Sequence, residues 1–577
     1  MSDSNQNNHN PFEKMGKAPW DEIKEQFRAQ GQKTQHAPRK QRKARSPLSR
    51  IIITLLFAAV YFYVALPALN PQSGDLYAFI LLTMAVYVGL TVLGSGLSPT
   101  ATPADLGKEL KRTCKPAVLI AVALLGVCLV GNIAGSVLLR SNAYTHLLDV
   151  QTGDFASEVQ EISYDQIPML DKASAERLGD RKLGELSDMV SQFEVTNDYI
   201  QINYKGSPVR VSTLQYGDLF KWLNNKDEGL PAYIVINMVT QNAEVVRLEK
   251  GMMYSTNDHF GRNVYRKLRF DYPTYMFSEV HFEIDENGHP YWICPREART
   301  IGLFGGRDII GAVILDAVTG ESQYYAANEI PSWVDQICNA DLVIQQYDYY
   351  GMYQNGFINS IIGQKNVTVT TDGYNYIAMG DDVYVYTGIT SVGGDESNIG
   401  FILCNQRTKE TRYYACAGAE EYSARHSAEG VVQHLGYSST FPLLLNVSGQ
   451  PTYFMSLKDD AELVKMYAMV NVRQYNIVAT GNTLAECEAN YIKQLNQSGV
   501  VEKPSAAQVS GVVAEIRTAV IEGNSYYYFR LEDETWYYSV SAADSQLAVV
   551  VNVGDTISLL SSATEGSIRS ASDLNIQ

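Results

Sequence analysis

Three long apolar segments lie within the first 140 residues of the 577-residue chain, and no further segment of this kind follows them. They cover residues 51–70, 76–97 and 117–138. About 20 residues in a helix, each rising ~1.5 Å, are enough to cross the ~30 Å hydrocarbon core of a bilayer. The sequence therefore predicts three transmembrane helices within residues 51–140, followed by one large domain on a single side of the membrane.

The distribution of Lys and Arg predicts the orientation of these helices. Residues 1–50 hold 11 Lys and Arg against 5 Asp and Glu, and the loop 98–115 adds four more cations. The loop 71–75 between the first two helices has none. Because cationic flanks stay on the cytoplasmic face, we expect a multi-pass protein of the cell membrane, with a disordered cytoplasmic tail (residues 1–50) and an extracytoplasmic C-terminal domain.

Net charge limits the partners of the expected ectodomain. The chain carries a formal charge of −17, and residues 141–577 hold 30 basic and 55 acidic side chains. Phosphate binding needs a basic stripe on the surface, so this composition argues against a nucleic acid as partner. The membrane lipid bilayer is the partner that the apolar segments predict.

Cysteine usage predicts neither a zinc site nor a disulfide framework. Five of the seven cysteines lie after residue 140, and none of them has the CxxC spacing of a metal site. Cys404 and Cys416 could face each other across a hairpin, and the sequence leaves open whether they form a disulfide.

Internal repetition organises residues 254–495. Each copy of the unit reads as a helix, a strand-turn-strand and a second strand-turn-strand. The copies take their helix, first hairpin and last strands from residues 254–268, 282–293 and 312–325; from 332–337, 367–378 and 399–414; and from 422–435, 443–455 and 464–472. Gly288, Gly373 and Gly449 occupy the predicted hairpin turns, where positive φ is needed. The predicted fold class is α+β: a row of small antiparallel sheets, each with one face buried under a helix.

The D-A-V-T-G-E turn at residues 316–321, preceded by a D-E-N-G turn and a helix, makes the unit similar to a PepSY module. The second copy keeps N-Q-R-T-K-E at residues 405–410, whereas the third has no equivalent turn after Lys465. PepSY-like modules occur in propeptides of secreted metallopeptidases and in envelope proteins of Gram-positive bacteria, where they restrain or regulate peptidases. The resemblance implies a regulatory or binding role and carries over no catalytic residues.

The segments that flank the repeats complete the predicted domain organisation. Residues 141–196 read as a helical connector, 197–253 as a diverged leading α+β unit and 496–507 as a linker. Residues 508–577 resemble a small OB-type barrel, with strands expected at 510–520, 526–531, 536–540, 547–551 and 553–560. Its aromatic row could stack on a ligand through Tyr526, Tyr528, Trp536 and Tyr538. Cross-strand packing of these side chains is the alternative.

No catalytic or cofactor-binding signature is recognisable. The chain has no HExxH, and His426 and His434 lack the spacing of paired ligands on one helix. In the third apolar segment, Gly131 and Gly135 form a small-xxx-small pair that would serve helix packing or dimerisation, which leaves the oligomeric state open. We therefore predict a non-enzymatic membrane-anchored protein that modulates a peptidase or another wall-associated protein. The alternatives are a structural scaffold of an envelope complex and an unrecognised wall-acting hydrolase.

Overall fold

A computed structural model describes residues 47–94, 103–159, 161, 166–393, 397–500, 507–521, 524–542, 545–561 and 567–577. Most of the predicted basic tail and half of the predicted linker, residues 501–506, lie outside these residues. The chain divides into two compact units at residues 67/68, 73/74 and 128/129.

The N-terminal helices are long and apolar enough to cross a membrane. They are α1 (Pro47–Ala65), α2 (Gly74–Gly94) and α3 (Pro103–Ala134), with candidate spans at Leu48–Ala65, Gly74–Leu93 and Cys114–Ala134. The predicted loop 98–115 is helical from Pro103 onward, because α3 extends the third span backward by more than two turns. The protein is therefore a membrane protein with three candidate spans near its N-terminus.

The connector after α3 contains strand as well as helix, which corrects the expectation of a helical segment at 141–196. It comprises α4 (Val137–Thr145), β1 (Val150–Gly153) and α5 (Phe155–Glu158). Strand β1 pairs in parallel with residues 411–414, which belong to a sheet formed much later in the sequence. The connector is thus built into the domain that follows.

Four segments of the described chain share one topology, which we call repeats 1 to 4 (residues 172–252, 264–326, 340–419 and 421–481). Repeat 1 contains α6 (Lys172–Gly184), β2 (Phe193–Val195), β3 (Ile200–Tyr204), β4 (Ser207–Tyr216), α7 (Leu219–Asn225), β5 (Leu230–Asn237) and β6 (Ala243–Met252). Repeat 2 contains α8 (Val264–Asp271), β7 (Met276–Phe277), β8 (His281–Ile284), β9 (Pro290–Ile301), β10 (Gly305–Asp316) and β11 (Ser322–Ala326). Repeat 3 contains α9 (Ala340–Tyr353), α10 (Phe357–Ile361), β12 (Thr368–Thr370), β13 (Asn375–Met379), β14 (Asp382–Ser391), β15 (Ser397–Asn405) and β16 (Thr411–Ala419). Repeat 4 contains α11 (Glu421–Val431), β17 (Ser438–Ser439), β18 (Leu443–Val447), β19 (Gln450–Lys458), β20 (Val464–Asn471) and β21 (Val478–Gly481), and α12 (Leu484–Gln497) follows it.

Strand pairing is the same in all four repeats. The sheet orders are β2-β4-β5-β6, β7-β9-β10-β11, β12-β14-β15-β16 and β17-β19-β20-β21, and strands β3, β8, β13 and β18 each pair with the second strand of their sheet. The leading unit and the last copy therefore have the same strand order as the two copies between them.

One turn recurs between the last two strands of each repeat. A side-chain oxygen of the residue that ends the strand accepts hydrogen bonds from the backbone N–H groups two and three residues later, at 2.7–3.0 Å. The residues are Asn237, Asp316, Asn405 and Asn471. Asn and Asp favour such turns because their short polar side chains replace a backbone acceptor. The expectation that the last copy has no equivalent turn is thus wrong, since Asn471 provides it after β20.

Two details of the repeat 3 prediction are also wrong. Its helix is Ala340–Tyr353, capped by Asn339 Oδ1 on Leu342 N at 3.1 Å, and not residues 332–337. Gly373 has positive φ (96°) but lies between β12 and β13, which both pair with β14 and not with each other. A Cβ at Gly373 would lie 2.5 Å from the Phe441 ring, so the close approach requires glycine there. The hairpin turn itself lies at Gly380.

The sheets of repeats 2 and 3 are buried on both faces, in contrast to the expectation of one buried face. Along β10, Val313 and Leu315 belong to a core shared with repeat 1, while Ala312 and Ile314 belong to a core shared with repeat 3. In repeat 3, alternate residues of β15 likewise face repeat 2 or repeat 4. Because side chains alternate between the faces of a strand, each inner sheet contributes to two cores at once.

Repeat 4 also contacts repeat 1. Ser174 Oγ donates to Glu462 O at 3.1 Å, and Lys458 Nζ lies 2.6 Å from Asp171 Oδ2, in the cap of α6. Gln241 Nε2 donates to Tyr467 OH at 3.3 Å. The last repeat therefore meets the first.

The C-terminal segment consists of β22 (Ala507–Ile521), β23 (Asn524–Leu531), β24 (Tyr537–Ser541), β25 (Thr556–Ser561) and β26 (Ile568–Ile576). These strands pair in the cyclic order β22-β23-β24-β26-β25, and β25 returns to β22. Residues 547–551, expected to form a strand, begin in a 3-10 helix (Gln546–Val549).

The loop before α2 and the end of α3 make specific contacts with repeat 2. Leu69 N donates to Pro273 O, and Gln72 Nε2 donates to Arg299 O, both at 2.8 Å. The turn between β9 and β10 lies against the last helical turn of α3: a Cβ on Gly131 would lie 2.7 Å from the Phe304 ring, and one on Gly135 would lie 3.0 Å from Ile301 O. The small-xxx-small pair, Gly131 and Gly135, therefore packs against the β9–β10 hairpin of the same chain.

Gly135→Val should destabilise the domain that contains the repeats. The new side chain meets backbone atoms Ile301 O and Gly305 N at 3.0 and 3.1 Å, and backbone cannot move aside as a flexible side chain does. We expect a loss of about 1–3 kcal/mol in the free energy of unfolding, measured by thermal unfolding in detergent. Gly126→Val is the matched control, because a Cβ at Gly126 has nothing within 4 Å. Equal effects of both substitutions would contradict the proposed role of the contact.

Candidate functional site

A cavity of about 430 Å³ lies where the four repeats meet. The same segment of each repeat, between its first short strand and its first hairpin strand, reaches the wall. These segments contribute Tyr199, Glu279, Tyr374 and Phe441, one from each repeat. The volume falls within the range of small-molecule binding sites, ~300–1,000 Å³. Because every repeat contributes to the wall, the cavity is a property of the assembled domain.

Arg210 on β4 is the most unusual residue of the wall. Its side chain is 7% exposed, its Nε atom has no hydrogen-bond partner, and its Nη1 makes one long hydrogen bond of 3.4 Å to Tyr199 O. Burial lowers the pKa of the guanidinium, and Tyr376, Asp171 and Glu176 act in the opposite direction. No carboxylate of the described chain lies within ion-pair distance of it. A buried cation without a partner is costly, so this arrangement suits an anionic ligand.

The equivalent positions of other repeats show that the fold does not require a cation here. Gln201 and Arg210 form the fourth residue pair from the turn of the β3–β4 hairpin. The fourth pairs in repeats 3 and 4 are Tyr376 with Val385 and Leu444 with Tyr453. Val385 and Tyr453 are both buried in a core. The charged Arg210 at the fourth pair of repeat 1 therefore departs from the pattern of buried apolar residues at this position, as expected of a functional residue.

A buried acidic group lies directly behind the cavity wall. Glu283 accepts hydrogen bonds from the backbone N–H groups of Asp335 and Gln336, and His281 Nε2 lies 2.9 Å from its Oε1. Asp335 Oδ2 accepts from Asn203 N at 2.7 Å, whereas its Oδ1 has no partner. Burial, and then the Glu283 carboxylate, raise the pKa of Asp335 well above its usual range. Two neighbouring buried carboxyl groups disfavour double ionisation, which favours the protonated form of Asp335.

The predicted aromatic site of the C-terminal segment does not form one face. Tyr526 and Tyr528 alternate along β23 with Tyr527 and Phe529, which pack into the core. Tyr538 is 1% exposed in that core, and its hydroxyl accepts a hydrogen bond from Trp536 Nε1 at 2.9 Å. Tyr538 therefore serves packing, the alternative considered above. Tyr526 and Tyr528 lie on the opposite side of the strand and are half-buried.

The cysteine and acidic side chains of the described ranges form no metal-binding cluster. None of the seven cysteines is in a disulfide, and Cys404 and Cys416 lie in different cores, with Cys404 opposite Thr411 in the ladder. A disulfide between them is thus excluded by their placement. Burial raises the pKa of Cys404 to about 12. Within the described ranges, no group of three His, Cys, Asp or Glu side chains is placed to hold a metal ion.

Comparisons with known proteins assign no family to this chain. No protein-family model matches it, and no curated protein matches it. Among solved structures it is similar to the crystal structure of an ACO/RPE65 chimera in a monoclinic form, at 7% sequence identity and a TM-score of 0.12. That match covers 66% of this chain and 64%, less than two thirds, of the other chain. A similarity at this level carries no argument about fold or function.

The sequence did not single out Arg210 or the cavity. Arg210 lies in a strand with ordinary alternation, and the cavity wall around it is completed by residues of the three later repeats, such as Glu279, Tyr374 and Phe441. The signal that could have identified it is the comparison of hairpin positions between repeats, where a cation replaces buried apolar residues.

Arg210→Met should leave the domain at least as stable as the wild type. Methionine fills a similar volume and removes an unpaired buried charge, so we expect a gain of about 1–3 kcal/mol in the free energy of unfolding. Arg407→Met is the contrasting variant, because Arg407 makes two hydrogen bonds of 2.7 and 2.9 Å to Asp382 and its loss leaves that carboxylate unpaired. Chemical denaturation measures both. A marked loss of stability in Arg210→Met would mean that the residue is structural.

Asp335→Asn should flatten the dependence of stability on pH. The raised pKa means that the folded state binds more protons than the unfolded state above the ordinary value of 3.8, so stability falls as pH rises through this window. We expect the variant to gain stability relative to the wild type as the pH rises above about 4. Asp188→Asn is the control, because the hydrogen bond from Arg247 lowers the pKa of Asp188 and its contribution has the opposite sign. Parallel pH profiles of Asp335→Asn and wild type would contradict this assignment.

Proposed function

We propose that this protein is a membrane-anchored, extracytoplasmic binding protein that regulates a peptidase or another envelope protein through its four repeats. The observation that carries the proposal is the cavity at their junction, with the unpaired Arg210 in its wall. A buried charge that lacks an internal partner stabilises nothing in the free protein, and it gains a favourable interaction when an anionic group enters. The same position is apolar in repeats 3 and 4, so folding does not explain it.

The PepSY-like and OB-like assignments belong to this proposal. The common strand order and the recurrent Asx turn support a single module type repeated four times, including the leading unit. The cyclic strand order of residues 507–577 supports an OB-type barrel. A PepSY-like module restrains or regulates a peptidase in the proteins where it is known, and this is the role we propose here.

The extracytoplasmic location is proposed from charge and supported by a contact. The cation-poor loop between the first two helices bonds to repeat 2 through Leu69 and Gln72. A loop and a domain that are bonded together lie on one side of the membrane. Because the basic segments favour the cytoplasm, this side is the extracytoplasmic one.

Photo-crosslinking in cells tests the proposal. A photoreactive amino acid replaces Glu279, an exposed residue of the cavity wall, or Glu286, an exposed residue in the β8–β9 turn of the same repeat. We expect one envelope protein, a peptidase or a protein bound to one, to be captured from position 279 and not from position 286. Mass spectrometry identifies the captured protein.

The outcome that overturns the proposal is equal capture from both positions, or capture of several wall-synthesis proteins from both. Such a result would favour the scaffold alternative, because a scaffold offers its outer surfaces to partners and needs no cavity. Loss of capture from position 279 in an Arg210→Met background would in turn strengthen the assignment of the cavity.

A further inference from the structure

Two unpartnered polar atoms belong to neighbouring residues of the cavity wall. Arg210 Nε is a donor without an acceptor, and Gln201 Oε1 is an acceptor without a donor. The two residues are direct partners in the β3–β4 ladder, and both side chains line the cavity. Gln201 is 1% exposed, which is as deep as the hydrophobic core. Buried polar atoms nearly always have a hydrogen-bond partner in folded proteins. An unpartnered donor and an unpartnered acceptor on neighbouring residues of a cavity wall therefore mark a binding site.

The chemistry of this pair selects a ligand that carries an anion and a donor close together. We propose that the cavity binds the C-terminal residue of a peptide, whose carboxylate pairs with Arg210 and whose backbone N–H donates to Gln201 Oε1. This proposal rests on the proposed function and names the group of the partner that the cavity takes. In a C-terminal residue the carboxylate and the N–H are attached to the same Cα, which matches two neighbouring side chains of a ladder. Free phosphate carries no apolar group for the rest of the wall.

The charges around the cavity favour a single negative charge on the ligand. Asp171 lines the wall but is paired with Lys458 at 2.6 Å, and Lys172 lies 3.9 Å from Glu176. The exposed Glu279 adds a negative charge to the wall. A dianion would meet this carboxylate with Arg210 as the one unpaired cation among the described residues of the wall, whereas a carboxylate is neutralised by Arg210 alone. Guanidinium and carboxylate also match in planar, bidentate geometry.

The rest of the wall suits an apolar side chain. Ile200, Ile337, Leu443 and Phe454 each contribute to it. The cavity volume of about 430 Å³ is enough for one or two residues of a peptide and no more. The ligand class is therefore a peptide that ends in an apolar residue with a free carboxylate.

Isothermal titration of the full-length protein in detergent micelles tests the proposal. The probes are acetylated tripeptides that end in Ala, Leu or Phe, each as the free acid and as the C-terminal amide, together with inorganic phosphate. We expect at least one acid to bind, its amide to bind about tenfold more weakly or worse, and phosphate not to compete. Arg210→Met should reduce the affinity for the acid to that for the amide, and Arg210→Lys should restore part of it.

Matched variants separate the two contacts. Gln201→Leu should weaken the binding of the tripeptide acid while Arg247→Met, which changes a surface arginine paired with Asp188 at 2.8 Å, should leave it unchanged. Equal binding of acid and amide, competition by phosphate, or failure of all three acids to bind overturns the C-terminal assignment. If capture from position 279 in cells persists while the peptides fail, the proposed function stands and this inference falls. If that capture is absent as well, both fall.

Discussion

The architecture depends on the sharing of sheet faces between neighbouring repeats. A sheet of four or five short strands with one helix exposes a second face that water would cover at considerable cost, about 25 cal/mol for each Å² of apolar surface. Repeat 2 avoids this by directing Val313 and Leu315 toward repeat 1 and Ile314 toward repeat 3. Repeat 3 does the same between repeats 2 and 4. The repeats are therefore structural units without being independent domains, and their stability is collective.

This sharing explains why the cavity lies where it does. Apolar faces pair between repeats 1 and 2, 2 and 3, and 3 and 4, but repeats 1 and 4 meet through polar contacts such as Ser174 to Glu462 and Gln241 to Tyr467. The second face of repeat 1 is accordingly polar and carries Gln201, Asn203 and Arg210. Asn203 N is bonded to Asp335, but Asn203 Oδ1 has no partner, and Gln201 and Arg210 also keep unpartnered atoms. The face of repeat 1 that has no apolar interface with a neighbouring repeat thus carries the polar side chains that can bind a ligand.

Local patterns in the sequence were sufficient for the membrane helices and for much of the repeat. Apolar runs predicted α1 to α3, and Gly288 and Gly449 have the positive φ expected of hairpin turns, 80° and 70°. Gly373 misled the prediction because its positive φ serves a close approach to Phe441 and not a hairpin. The turn of repeat 4 was not predicted, because the turn that begins at Asn471 is longer than the one that begins at Asp316 and contains no glycine. The prediction of one buried face failed because each strand was read by itself, whereas burial is decided by residues of the neighbouring repeat.

The site could not be predicted for a related reason. Gln201 and Arg210 are ordinary residues of a hairpin when they are read along the chain, and the cavity exists only because residues near 280, 375 and 441 converge on them. The same dependence on distant residues applies to the membrane-proximal end of the domain. The spacing of Gly131 and Gly135 is typical of helix association, yet these residues pack against Phe304 and the backbone of the β9–β10 turn. Repeat 2 contacts the end of α3 there, and both faces of its sheet pack against neighbouring repeats. The positions of the other three repeats therefore depend on that of repeat 2. The cavity is in this way tied to the end of the third membrane helix through continuous packing.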